Sequence, residues 1–163
     1  MKSNDKLTIK KTSRGVTKEE FEAYLGKSAS KPFYQKSLNT YMNNPNKMNW
    51  NWASTFLSTY WFCYRKALIP AVISFSLIII SNAFLPSILG DLALLAILAF
   101  FGSYGTNIFF KDAERAILYA KKNSKNNDKN EILNSLTTKG KTSFILPLIF
   151  FIFEGAIYYN FIF

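Results

Sequence analysis

ALIPAVISFSLIIISNAFL, residues 67–85, and LALLAILAFFGSYGTNIFF, residues 92–110, decide the fold class. Neither stretch contains Lys, Arg, Asp or Glu, and each holds 19 residues. As α-helices they would be about 28 Å long, close to the roughly 30 Å of a bilayer's hydrocarbon core. A third run, TSFILPLIFFIFEGAIYYNFIF at residues 142–163, adds 22 residues with Glu154 as its one charge. A water-soluble domain interleaves charge with apolar residues at a period near 2 or 3.6, and these runs do not. Pro70 and Pro147 fall in the first or second turn of their spans, where a missing N–H costs little. The expectation is an all-α, multi-pass membrane protein with three transmembrane helices, residues 67–110 forming a two-span hairpin and 142–163 the last span.

Outward from the hairpin, charge becomes segregated. The chain has 163 residues, 20 Lys+Arg against 10 Asp+Glu, and no His. Residues 1–49 carry ten Lys/Arg and four Asp/Glu, with no apolar run to serve as a signal-peptide core. Residues 111–141 carry eight Lys/Arg, whereas PSILGD at 86–91 carries none. The positive-inside rule then places residues 1–49 and 111–141 in the cytoplasm, the 86–91 loop outside, and the C-terminus outside. The surplus of Lys fits anionic lipid headgroups beside the bilayer. Nucleic acid is not expected, because the basic segments lack interleaved exposed aromatics.

WNWASTFLSTYWFCYRK, residues 50–66, reads as an interfacial helix lying along the membrane. Trp50, Ala53, Leu57, Tyr60, Trp61 and Tyr64 share one stripe, with Asn51, Ser54, Thr55 and Ser58 opposite. Trp50, Trp52, Trp61 and Tyr64 suit the headgroup level, and Arg65 and Lys66 would anchor there and mark the turn inward. The alternative is a fourth span over about residues 50–69. In the basic arm, Thr17-Lys18-Glu19-Glu20 fits a capping box opening a helix that Gly26 ends. PFYQKSLNTY, from Pro32, suggests a second short helix. Residues 111–122 should prolong the second span, with local pairs among Asp112, Glu114 and Arg115, before a mobile linker at 121–130.

The tryptophan-rich segment resembles a bacterial membrane family, domain-of-unknown-function family 2628. The resemblance rests on Trp50-Asn51-Trp52-Ala53, Phe56, Tyr60-Trp61-Phe62 and Tyr64-Arg65-Lys66. Gly102, Gly105 and Asn107 resemble its later Gly-Asn turn, with Thr106 intervening, and Gly140-Lys141-Thr142-Ser143 its Gly-Gly-Thr-Ser element, with Lys141 in place of the second Gly. Tyr24-Leu25-Gly26 through Phe33-Tyr34 resembles the lead-in, so roughly residues 20–145 are covered. The resemblance implies a small bacterial inner-membrane protein of uncharacterised activity and supplies no catalytic residues.

Chemistry-bearing residues are few. With no His and a single Cys, a His-based triad, a conventional zinc site and a disulfide framework are excluded. Neither a cofactor nor a metal is expected. Glu154, near the middle of its span, is the sharpest polar candidate: a proton or cation site, or a protonated carboxyl bonded to Ser74, Ser76, Ser81, Asn82 or another subunit. Gly102 and Gly105 suit close helix packing, and Asn107 and Asn82 could bond across it. The expected function is a non-enzymatic accessory or scaffold subunit docking with a membrane-protein partner or with itself. Ion handling through Glu154 and an immunity-type membrane protein are the alternatives.

Overall fold

A computed structural model of the chain describes residues 11–124 and 128–162. The first ten residues of the basic arm, positions 125–127 of the expected linker and Phe163 lie outside the described residues. The described residues form seven α-helices in order: α1 (Lys18–Leu25), α2 (Pro32–Asn43), α3 (Trp52–Tyr64), α4 (Leu68–Phe84), α5 (Ser87–Asn123), α6 (Lys129–Lys139) and α7 (Ile145–Ile162). A 3-10 turn, Gly26–Ser28, lies between α1 and α2. Among the described residues there is no β-sheet, only an isolated bridge between Lys11 and Thr17.

Local chemistry sets the helix ends. Thr17 Oγ1 accepts from the Glu20 amide at 3.3 Å, and Glu20 Oε2 accepts from the Thr17 amide at 2.8 Å, closing the capping box. Gly26 ends α1 at φ 55°, a conformation that L side chains rarely adopt. Pro32 opens α2 at a position where its missing N–H would have no helical partner. Asn51 Oδ1 caps α3 through the Ala53 and Ser54 amides at 3.0 and 3.3 Å. Lys66, at φ 58°, turns the chain sharply from α3 into α4.

Helix α5 has 37 residues, about 55 Å end to end, and passes through two packing regions. Its first half runs antiparallel to α4 and its middle packs on α3. Its second half enters a cap made with α1, α2 and α6, where Phe21, Leu38, Tyr41, Phe110, Ile117 and Leu136 are almost wholly buried. Phe21 meets Tyr41 and Phe110 edge to face at 5.9 and 5.8 Å. The basic arm expected from sequence is therefore a folded layer over residues 11–43. The expected linker at 121–130 is also curtailed. Residues 121–123 belong to α5, residues 129–130 begin α6, and Lys121 Nζ pairs with Glu20 at 2.8 Å. Helix α6 escaped sequence reading because its apolar content is short. Ile132 and Leu136, one turn apart, bury against the cap, and Leu133 is the one other apolar residue of the helix.

The largest revision concerns α3. It was expected to lie along the membrane surface, apart from the spans, yet Ser54, Thr55, Ser58, Thr59 and Trp61 are buried while Leu57 of the expected stripe is exposed. The helix stands beside α4 and α5 rather than apart from them. Trp61 meets Phe109 at 5.7 Å, and the hydroxyls of Thr59 and Ser74 lie 2.8 Å apart. A kink at Ser58, φ 34°, lets its two halves follow α5.

Helix α5 is long and apolar enough to cross a membrane. Leu68–Phe84 and Ile145–Ile157 are apolar but shorter. At 17 residues, α4 rises about 26 Å.

Candidate functional site

The middle of α5, GSYGTN at 102–107, is where the chain concentrates its buried polarity. Gly102, Ser103, Gly105, Thr106 and Asn107 are all buried. Two segments press on them. The first is the non-helical stretch 44–51, which runs along α5. Asn49 and Asn51 donate their amides to Ser103 O and Gly102 O at 3.0 and 2.8 Å. Asn107 Nδ2 donates to Pro45 O at 3.0 Å and Lys47 O at 2.7 Å. The second is the polar side of α3. A Cβ on Gly105 would penetrate Ser54 Oγ, and one on Gly102 would penetrate Thr55 Oγ1, so both helices approach as only glycine permits. Asn51 Nδ2 donates to Thr106 Oγ1 at 3.1 Å across the same contact.

Glu154 is half-buried on α7 and accepts a hydrogen bond from the Tyr60 hydroxyl of α3. Sequence reading had offered Ser74, Ser76, Ser81 or Asn82 as its partner. Ser74 instead meets Thr59, Ser81 Oγ donates to Gly90 O at 3.1 Å, and Asn82 is exposed. Asn82 also sits near the far end of α4, so Asn82 and Asn107 are not brought together. Trp50 and Trp52 are exposed and stack edge to face at 5.2 Å, whereas Trp61 is buried. Tyr64 and Lys66 are half-buried.

Arg65 departs most from expectation. It does not project to a surface as an anchor but is 2 % exposed. Its guanidinium lies 4.1 Å over the Tyr34 ring and 5.3 Å from the centre of Phe109, and Nη1 donates to Ser28 Oγ at 3.2 Å. Nε has no hydrogen-bond partner. Nearby, burial pushes the Tyr24 phenol up to about 12; Asp112 adds to the rise and Arg65 opposes it. Asp112 is itself raised by burial, with Arg115 partly offsetting the shift.

Glu114 was read as part of a local surface pair, yet it is 4 % exposed at the centre of the cap. It accepts from Thr12 Oγ1 at 2.5 Å and Tyr41 Oη at 3.2 Å, with Arg14 Nη1 at 3.7 Å. The signal was present: Phe110, Ala113, Glu114 and Ile117 fall at i, i+3, i+4 and i+7, so the carboxylate occupies the apolar stripe of α5. Burial and the adjacent carboxylate raise the Tyr41 phenol, keeping it a neutral donor.

Among the described residues no three His, Cys, Asp or Glu side chains converge as a metal ion would need. Comparison with family models, curated proteins and solved structures gives no significant match. Among the described residues the geometry therefore defines a helical protein with one helix long and apolar enough to cross a membrane, a polar seam inside its apolar half and a cationic corner at Arg65.

Proposed function

We propose that the chain is a lipid-embedded membrane protein in which α4, α5 and α7 cross the bilayer, serving as a non-enzymatic accessory or scaffold subunit. The supporting observation is inverted polarity. Ser74, Ser81, Thr106 and Asn107 are buried, while Ile69, Ile80, Phe84, Leu95 and Ile152 are each more than half exposed. In water that surface would be an aggregation liability; in hydrocarbon it is the favoured one. The seam fits the same reading, because non-helical backbone at membrane depth must be satisfied by protein, and Gly102, Ser103 and Asn107 bond the carbonyls of Pro45 and Lys47 and the amides of Asn49 and Asn51. Residues 44–64 then form a re-entrant hairpin that dips along α5 and returns through α3 to the side it left. Helix α4, about 26 Å long, is accommodated by local bilayer thinning. The cap, with its basic residues, faces the cytoplasm.

The accessory role is supported by α7. It is held on one side, by Tyr60 and by Phe75, whose ring meets Phe150 at 5.2 Å. Its other sides present Leu148, Ile149 and Ile152 to the surroundings. Such a helix can share its open face with a helix of a partner or of a second copy. A second reading, ion handling, is favoured by the Tyr60–Glu154 pair, a carboxyl and a phenol joined beside the open helix. Purification of the tagged protein in mild detergent, beside Glu154→Gln, tests both. The accessory reading expects a stoichiometric membrane-protein partner or a defined homo-oligomer, retained with Gln, which still accepts from Tyr60. Ion handling expects pH-dependent cation flux in liposomes that Gln abolishes. A monomer without partner, with flux lost in the variant, would overturn the accessory role.

A further inference from the structure

Arg65 stands between two cavities at the corner where α3 turns into α4, one bearing lysines and hydroxyls and the other almost wholly apolar. The first, about 440 Å³, is walled by Lys27, Ser28, Thr137, Lys141 and Thr142 beside Leu25 and Gly26. Its only charged lining groups are the two lysines. Arg65 stands directly behind the wall, donating to Ser28 Oγ, and makes no ion pair among the described residues. A buried guanidinium without a carboxylate carries a desolvation cost that stacking on Tyr34 and Phe109 offsets only in part. Three cations, the hydroxyls of Ser28, Thr137 and Thr142, and no acid in the wall leave a positive hollow suited to an anion with several acceptor oxygens.

The second cavity, also about 440 Å³, is apolar and aromatic, lined chiefly by Tyr34, Leu57, Tyr60, Tyr64, Phe144 and Pro147. The two are consecutive along the chain: Thr142 lines the first, Phe144 the second, and Ser143 between them donates its amide to Tyr64 O at 2.9 Å. Tyr34, whose ring faces Arg65, belongs to the second wall. A cationic hollow beside an apolar groove matches a molecule with a phosphate at one end and a hydrocarbon chain at the other.

We infer that this corner is a specific binding site for an anionic phospholipid, its phosphate held by Lys27 and Lys141 in front of Arg65 and an acyl chain lying along the Tyr34–Phe144 groove. The site rests on the membrane reading above and adds a defined lipid to it. The fixed charge of Arg65 preorganises the hollow, while the exposed lysines close on the headgroup.

The test is native mass spectrometry of the full chain released from detergent, titrated with phosphatidylglycerol, with phosphatidylcholine of the same acyl chains, and with glycerol phosphate. One phosphatidylglycerol should be retained in preference to phosphatidylcholine, and Lys27→Ala/Lys141→Ala should weaken it by about tenfold or more. Lys36→Ala/Lys122→Ala removes the same charge from exposed positions of the cap and should leave the preference unchanged. Equal retention of the two lipids, or equal loss in both double variants, overturns the site. Glycerol phosphate binding as tightly as the lipid would show a soluble phosphate ligand and overturn the lipid assignment. Flotation of wild type with pure phosphatidylcholine vesicles reads membrane insertion separately, so failure of the site and failure of insertion are distinguishable.

Discussion

Gly105→Leu should lower the apparent melting temperature of the detergent-solubilised protein by about 10 °C, whereas Gly155→Leu should leave it unchanged. Ser54 is wholly buried, and a Cβ at Gly105 already meets Ser54 Oγ before any branch is added, with Phe62 Cζ 3.7 Å away closing the other side. Relief would require α3 to move off α5, which would strip Asn51 from Thr106 and the 49–51 amides from Ser103 and Gly102. Overpacking of this kind costs about 1–3 kcal/mol by itself, and each buried polar group left unpaired adds about 1–3 kcal/mol. Gly155 meets nothing within 4 Å, so a larger side chain there finds open space. The cycle closes with Gly105→Ala: alone it should destabilise, and Ser54→Gly should restore most of the loss, because the two positions compete for one volume. Equal melting of Gly105→Leu and Gly155→Leu would refute the α3–α5 contact.

Glu114→Ala should open the cap without releasing the apolar helices. The carboxylate receives Thr12 and Tyr41, and Arg14 lies within pairing distance. Truncation leaves two buried hydroxyls without an acceptor and creates a void beside Phe110 and Ile117, a loss of about 3 kcal/mol. Trypsin reads the effect directly. Cleavage at Arg14 and Lys121, which the folded cap restrains, should accelerate at least tenfold while cleavage in α4 and α5 does not. Glu114→Gln keeps an acceptor and should fall between wild type and Ala. Unchanged proteolysis of Glu114→Ala would contradict the cap as an ordered unit.

The apolar runs that end up as α4, α5 and α7 could be read without tertiary knowledge, since length and the absence of charge are one-dimensional properties. So could the capping box at Thr17 and the continuation of α5 past residue 110, because both are local. The facing of α3 was not local. Its Trp and Tyr residues suit the headgroup level, so the sequence reads as an interfacial helix and leaves the Asn51, Ser54, Thr55 and Ser58 side without a partner. Only the placement of Gly102 and Gly105 opposite Ser54 and Thr55 shows that the hydroxyl side packs inward. Arg65 misled for a related reason: a Tyr-Arg-Lys sequence after an apolar stretch matches an interfacial anchor, yet the αL turn at Lys66 folds Arg65 back beneath Tyr34. Glu114 was legible in principle from its i+4 position relative to Phe110, but the adjacent Arg115 offered a simpler surface pairing. Glu154 was noticed for its rarity, while its partner Tyr60 lies on a helix whose orientation the sequence alone left open.

The central claim is that the apolar helices cross a bilayer with the cap and the α3–α4 turn on one side and the α4–α5 turn on the other. Single cysteines at Ser87, Lys66 and Lys122, in a Cys63→Ser background, test it with a membrane-impermeant maleimide on intact and permeabilised cells. Native Cys63 is wholly buried, so its replacement removes background labelling from a position the maleimide reaches only on opening. The Ser87→Cys protein should label in intact cells, and the Lys66→Cys and Lys122→Cys proteins only after permeabilisation. Labelling of all three only after permeabilisation, or of Lys66→Cys from outside, would contradict it.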